Sequence, residues 1–405
     1  MLVTREQRLH SRGVQTGSAA CSARSAPEGR YSPCSYAEAV AAPNAVVIGG
    51  GASGMLTALA LSTTMPVQIL EPLPGSERRW AYWSRDPLPV GHITSCAALE
   101  LHLRREDGRQ AALQRVIDPY RFRVFSAAAL RSATEAAGVR WADVAVDRLE
   151  LRGDEVVVHH GRGHTLAAWV FDSRPVEQEP ATVWMSFSGV EIRTDDAVFP
   201  PGRATYMDFR ARARDHVRFG YVLPSSSRTA LVELVSFAPR GVPVAAREQG
   251  LRRYLSDVIG AGRYDVLRRE SGDIPLAAVN ATPDRGRVIR IGRSAGILKP
   301  STGFGVTRMW RDARLLARAM ALDGRPDQRL RSGPGYRYLD AVFLEVIRAQ
   351  PEAIEPAMAA LFGGNPPQRV LRFLDEEASL PEVAAIVASM PKQPFLAAAA
   401  RLRQS

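Results

Sequence analysis

Residues 229–237 read T-A-L-V-E-L-V-S-F, with one carboxylate, Glu233, inside an apolar, β-branched run. In a strand, side chains alternate faces with period two. Glu233 then shares a face with Leu231, Val235 and Phe237, and that face is expected to be buried. A carboxylate there costs several kcal/mol unless it stays protonated or finds a partner. It is either an acid kept protonated for proton transfer, or a satisfied structural or edge-strand carboxylate. Asp208, in Y-M-D-F-R, is a second candidate acid; its plainer role is an ion pair with Arg210 or Arg212. Glu191 is a third, and its alternation with Val190 and Ile192 equally suits a solvent face.

A second chemistry is written in glycine. Gly49-x-Gly51-x-x-Gly54 follows a Val-Val-Ile run and opens a helical stretch through Ala52 and Ser53. The first glycine allows a tight turn and the second lets backbone approach a pyrophosphate. The third lets helix and strand pack closely. The helix N-terminus then offers N–H groups and partial positive charge to the phosphates. Glu71 ends the next apolar run, where a carboxylate accepts the hydrogen bonds of a ribose diol. Strand, glycines, helix, strand and acid in that order predict a dinucleotide site. A late Gly-rich element, Ile291-Gly292-Arg293-Ser294-Ala295-Gly296, favours FAD over NAD. Flavoproteins of the p-hydroxybenzoate-hydroxylase type place such an element near the flavin ribityl chain, although Arg293 stands where they carry Asp.

Further segments share an order with one known family. They are Tyr82-Trp83-Ser84, Phe171-Asp172-Ser173-Arg174, Phe187-Ser188-Gly189-Val190-Glu191 and Met207-Asp208-Phe209-Arg210. Tyr221-Val222-Leu223-Pro224, Gly272-Asp273-Ile274-Pro275 and Pro300-Ser301-Thr302-Gly303-Phe304 follow. Over most of residues 44–405 the chain resembles the FAD-containing lycopene cyclases, which close the ionone rings of carotenoids. The resemblance sets Glu233 on the first glutamate of the family's Phe-Leu-Glu-Glu-Thr motif, which the family needs for activity. It implies an α/β fold: a Rossmann-type FAD domain with an antiparallel β-sheet substrate domain and a helical C-terminal region. It also implies reduced FAD as cofactor, with NAD(P)H only as reductant, and Gly303 near the flavin.

The implied chemistry explains the acid. Cyclising a polyene begins by protonating an alkene; a neighbouring double bond attacks the cation, and a proton is lost. An alkene is a poor base, so the acid must be a carboxyl held protonated by apolar walls. Negative charge or aromatic faces stabilise the cation. Water must be kept away from it. The chain departs from the family motif at Leu234, Val235 and Val190, which replace Glu, Thr and Trp. Lycopene and another linear terpenoid, such as a polyprenyl chain or its epoxide, therefore stand as equal candidate substrates. A monooxygenase or prenyl-chain reductase on the same fold is the alternative function, and a non-catalytic lipid-binding flavoprotein is a second rival. Tyr82 and Trp83 are candidate substrate contacts, with core packing as the competing role. Asp172 ends a buried strand and reads as structural.

These residues need a scaffold. Residues 1–43 read as a disordered tail; 44–75, 110–177 and 283–325 as a discontinuous FAD domain; 76–109 and 178–282 as the substrate domain; and 326–405 as helical. Residues 72–109, with Pro72, Pro74, Pro87 and Pro89, read as irregular and aromatic-rich. Apolar residues at helical spacing (Tyr338, Val342, Phe343, Val346, then Val370, Leu371, Leu374) suit either packing on the substrate domain or a membrane-docking lid. The 405 residues are 46% apolar, enough for two or three domains. Net charge is +11, yet the basic residues are scattered arginines, Lys299 and Lys392 apart, so no nucleic-acid partner is expected. Cys21, Cys34 and Cys96 show no C-x-x-C pairing, which suits a reducing compartment. His159, His160 and His164 flank two turn glycines and predict a hairpin, not a metal site. With no 18-residue apolar run, the chain is expected in the cytoplasm, soluble or peripheral on the inner face of the membrane.

Overall fold

The computed structural model describes residues 44–73, 77–104, 108–176, 181–278 and 281–404. The expected tail, with Cys21 and Cys34, lies outside them. Ala45–Ile48, buried throughout, is the middle strand of a five-stranded parallel sheet. Its order is Val288–Arg290, Trp169–Asp172, Ala45–Ile48, Val67–Leu70, Arg140–Ala142. The run is continuously apolar because both faces are covered. Helices Ala52–Leu61 and Val306–Asp323 cover one face, packing Leu56 and Leu316 with Val47 and Phe171. On the other, Val156 and Val158 of a three-stranded antiparallel sheet pack against Val46 and Ile48. Glu155–His160 and Gly163–Ala167 form the histidine hairpin of that sheet.

The second body is a seven-stranded sheet. Its order is Tyr264–Leu276, Val183–Thr194, Thr229–Ala238, Val217–Pro224, Arg203–Asp208, Ala98–Arg104, Gln110–Val116. Its pairs are antiparallel except Arg203–Asp208 with Ala98–Arg104, which run parallel. One face carries Phe187, Leu231, Val235 and Phe237 and packs under the C-terminal helices. The other carries Val190, Val232 and Leu234 and packs against Tyr254 and Leu255. The central strands are thus buried on both faces, and Glu233 shares its face with Leu231, Val235 and Phe237.

Two sequence expectations change. The irregular stretch 72–109 contains three strands, Arg79–Ser84, Thr94–Cys96 and Ala98–Arg104. Pro72, Pro87 and Pro89 fall between strands, and the aromatic residues alternate within one. Trp80 and Tyr82 enter the nucleotide-domain core, whereas Ala81 and Trp83 enter the core of the large sheet. Gln110–Val116, expected in the FAD domain, pairs antiparallel with Ala98–Arg104 and extends the seven-stranded sheet. Its residues alternate between exposed and half-buried, which suits an edge strand with one face to water.

Candidate active site

The glycine turn adopts the geometry its spacing demands. Gly49 has φ +99°, which favours glycine. A Cβ on Gly54 would lie 1.9 Å from the Gly49 carbonyl oxygen, so helix and turn approach as closely as predicted. Gly51 caps helix Ala52–Leu61. Glu71 accepts hydrogen bonds from Gly50 N at 2.6 Å and Leu73 N at 3.0 Å. Gly50, Glu71, Arg131 and Trp141 line a cleft of about 530 Å³. An open helix N-terminus, a carboxylate and an aromatic face suit the phosphates, ribose and base of a dinucleotide. The late Gly292 turn, at φ +68°, packs on this helix: a Cβ there would lie 2.7 Å from Ser53 Cβ. Gly303, at φ +73°, lies against Met185 of the large sheet.

Glu233 sits mid-sheet and is fully buried. Its cross-strand partners are Gly189 on one side and Tyr221 on the other, and Gly189 pairs onward with Glu270. One row of the sheet therefore reads Glu270, Gly189, Glu233, Tyr221. A Cβ on Gly189 would lie 2.7 Å from Glu233 Cγ and 3.3 Å from Glu270 Cγ, so the two carboxyls converge over the missing side chain. Among the described residues, no donor reaches either Glu233 oxygen or Glu270 Oε1. Burial, and next the charge of Glu270, hold the Glu233 carboxyl well above the usual range. Burial and then Glu233 also push the Tyr221 phenol up.

Glu191 is almost fully buried and ion-paired, and does not lie on a solvent face. It meets Arg79 Nη1 at 2.6 Å and Arg268 Nε at 3.6 Å. Arg268 Nη1 also holds Glu270 Oε2 at 2.6 Å. Glu191 and Glu233 thus belong to one network, linked through Arg268 and Glu270, and the Glu191 end lines the nucleotide cleft. Asp208 is placed elsewhere. A bulge between Thr205 and Asp208 turns it to the opposite sheet face. There it binds Arg210 at 2.5 and 2.8 Å and accepts from Tyr254 Oη at 2.9 Å.

Below the C-terminal helices lies a second cavity of about 370 Å³, almost wholly apolar. Phe237, on the Glu233 face, and Tyr221, its neighbour in the row, line it, whereas Glu233 lies in the sheet beside them. Its inner end is aromatic. Phe304 stacks on Tyr206 with centroids 5.9 Å apart and tilts against Trp83 at 4.6 Å. Phe122 meets Tyr206 and Tyr221 edge-on at 6.1 Å each. The phenols of Tyr206 and Tyr221 are buried with no hydrogen-bond partner among the described residues. Trp83 Nε1 donates to Asp375 Oδ2 at 2.6 Å. Tyr82 points the other way, where its hydroxyl meets His92 Nε2 at 2.6 Å.

Sequence comparison now adds to the geometry. The pattern of the family described as "Lycopene cyclase protein" matches residues 44–400. The chain belongs to the lycopene cyclase family. No curated protein matches it. Among solved structures it is similar to a geranylgeranyl bacteriochlorophyll reductase-like protein from Thermoplasma acidophilum, at 10% identity and TM-score 0.58. That match covers 88% of this chain and 98% of the other. It is also similar to a flavoprotein/dehydrogenase from Cytophaga hutchinsonii, at 13% identity and TM-score 0.54, over 85% and 98% of the two chains. A third neighbour is a point variant of Klebsiella pneumoniae HpxO complexed with FAD, at 16% identity and TM-score 0.51, over 86% and 99%. At such identities these neighbours establish the fold, that of p-hydroxybenzoate-hydroxylase-like flavoproteins. With the family, they mark the chain as an enzyme on a flavoenzyme scaffold.

Gly189, Glu270, Arg268 and Tyr221, which the structure gathers about Glu233, were not among the candidate site residues expected from sequence. Gly189 carried a signal: a glycine inside an apolar strand marks a close approach. Glu270 carried none, because its meeting with Glu233 depends on the register of three strands.

Proposed function

We propose that the enzyme closes a ring on a linear terpenoid without net oxidation, with Glu233 as the acid. One observation carries this reading. A fully buried carboxyl that meets no donor among the described residues, and that burial holds well above the usual carboxylate range, sits on the sheet face that walls an apolar, aromatic-ended cavity. Glu233 supplies the proton that makes the tertiary cation. The ring faces of Tyr206, Tyr221 and Phe304 stabilise that cation. The apolar lining keeps water from trapping it as an alcohol. Lycopene and a polyprenyl chain or epoxide remain the two substrate candidates, and the cavity is sized for one end of either.

FAD is the proposed cofactor: Gly49, Gly51, Ala52, Ser53, Gly54, Glu71 and Gly292 form its cradle. When bound and reduced, it would supply negative charge beside the cation. NAD(P)H enters only as reductant.

The hydrophobic substrate implies delivery from a membrane surface. Among the described residues no single helix is long and apolar enough to cross a membrane. Helices Leu380–Ser389 and Lys392–Gln404, bent by 110°, frame the cavity, where partly exposed Val387 and Leu396 line it together with Lys392 and Arg403. This face is proposed to rest on anionic lipid. Leu396→Glu should weaken sedimentation with anionic vesicles, and unchanged sedimentation would refute the contact.

The main test is product analysis under anaerobic conditions with reduced FAD, supplying lycopene and a polyprenyl epoxide separately. A product of unchanged mass with fewer open double bonds, reduced about 10²- to 10⁴-fold in Glu233→Gln, is expected. A gain of one oxygen or two hydrogens would replace the cyclase reading with the monooxygenase or the reductase.

A further inference from the structure

We propose that Glu233 and Glu270 form one acid pair holding a single proton across Gly189, with Glu270 the positioning residue that keeps this proton on Glu233. The use of the proton rests on the cyclase reading; the pair does not.

Three independent features meet here. First, Gly189 lies within the 12-residue strand Val183–Thr194, where glycine weakens packing. Any other residue would push a Cβ to 2.7 Å from Glu233 Cγ, so the glycine is the opening through which the carboxyls approach. Second, the pattern of satisfied atoms is asymmetric. Glu270 Oε2 is held by Arg268, whereas Glu270 Oε1 and both Glu233 oxygens have no donor among the described residues. Two bare carboxylates cannot share a site without water. One proton removes the conflict: the Glu233 hydroxyl donates to Glu270 Oε1, and the remaining negative charge stays on the carboxyl that has the arginine. Third, among the described residues little else faces the pair with opposing charge. Tyr221 flanks it as a neutral phenol from Val217–Pro224. Arg268 comes from the outer strand and is shared with Glu191, which Arg79 also holds. Helix Pro334–Ala349 packs on the same strands, but its buried carboxylates are engaged: Asp340 by Lys299, and Glu345 by Arg348 and Arg401.

The arrangement closes the proton balance of ring formation. The Glu233 O–H bond breaks as a C–H bond forms on the alkene. Both carboxyls are then charged next to the cation, which favours it. The C–H bond that the ring-closed cation loses returns one proton to the pair, which ends as it began.

The test needs no substrate. Infrared difference spectra of the full chain, in H₂O and D₂O, would follow the protonated-carboxyl band that disappears in Glu233→Gln. The band is expected in the native protein at neutral pH. Glu270→Gln removes the neighbouring charge and should move the band's titration midpoint to lower pH by a unit or more. Arg268→Gln removes the cation and should move it upward. Opposite shifts are not the signature of a general loss of structure, and Arg268→Gln keeps the test open if Glu270→Gln does not fold. Absence of the native band at neutral pH, or a midpoint that neither variant moves, would overturn the pair. A normal band in a protein that forms no cyclic product would instead leave the pair standing and remove the cyclase reading.

Discussion

Two clusters of buried carboxyls flank the helical roof, and they are treated in opposite ways. Around Lys299, every charge is matched. Its ammonium meets Asp340 at 2.9 Å and Glu376 at 3.1 Å, and Arg308 meets Glu376 at 3.1 Å. Burial alone would raise Glu376, but Lys299 and Arg308 outweigh it and hold the carboxyl below its ordinary range. The cluster ties the Lys299–Phe304 loop to helix Pro334–Ala349 and to the turn after Pro367–Leu374. In the row through Glu233, two carboxyls have, among the described residues, Arg268 alone as cation, and that arginine is shared with Glu191. In the first cluster each carboxyl has a cation, although at Asp340 burial still outweighs Lys299 and pushes the carboxyl up. The second, in the proposed pair, keeps a proton beside the apolar cavity. A buried carboxylate therefore indicates chemistry only after its partners are counted.

The comparison predicts reversed consequences for two substitutions. Lys299→Met leaves Asp340 and Glu376 without their shared cation and should lower stability by about 3–5 kcal/mol in denaturant titration. Glu233→Gln keeps a donor toward Glu270 and meets no other partner among the described residues, so it should leave stability within about 1 kcal/mol of native while cutting product about 10²- to 10⁴-fold. Comparable losses of stability in both would erase the distinction.

Gly189→Ala sharpens it further. The added methyl collides with Glu233 Cγ and should cost about 1–3 kcal/mol by overpacking. It should also lower the titration midpoint of the acid, since the carboxyls are pried apart. Alanine accepted at full stability with an unmoved midpoint would mean that the close approach is unimportant.

A smaller effect concerns Asp375, beside Trp83. Burial, then the charge of Glu377, push this carboxyl from its ordinary 3.8 up to about 7. The folded chain keeps that proton while the unfolded chain releases it, so this contribution to stability is lost as pH rises from 3.8 to about 7. Asp375→Asn should show a flatter dependence of stability on pH across that window. Equal slopes in the two proteins would mean that the Trp83 hydrogen bond and the nearby arginines keep Asp375 ionised.

Local patterns carried much of this molecule. Gly49, Gly51 and Gly54, placed between two short apolar runs, imply the turn and the nucleotide cleft because their constraints act within a short span of chain. The burial of Glu233 was legible for the same reason: strand alternation is a local rule. Residues 72–109 were not legible, because prolines between the strands hid the alternation of Trp80, Ala81, Tyr82 and Trp83 across two cores. The Asp208–Arg210 ion pair was legible, but a bulge invisible in Y-M-D-F-R put Asp208 on the sheet face opposite Glu233.

The sequence by itself thus determined the nucleotide-binding turn, the buried position of Glu233 and the family, each from motifs read in order along the chain. Only the tertiary structure decided what Glu233 meets. Glu270 and Tyr221 reach it by strand register, Gly189 by the side chain it lacks, and Arg268 by being shared with Glu191. Those contacts join segments far apart in sequence, and a one-residue slip in any strand would send the same side chains to the other face.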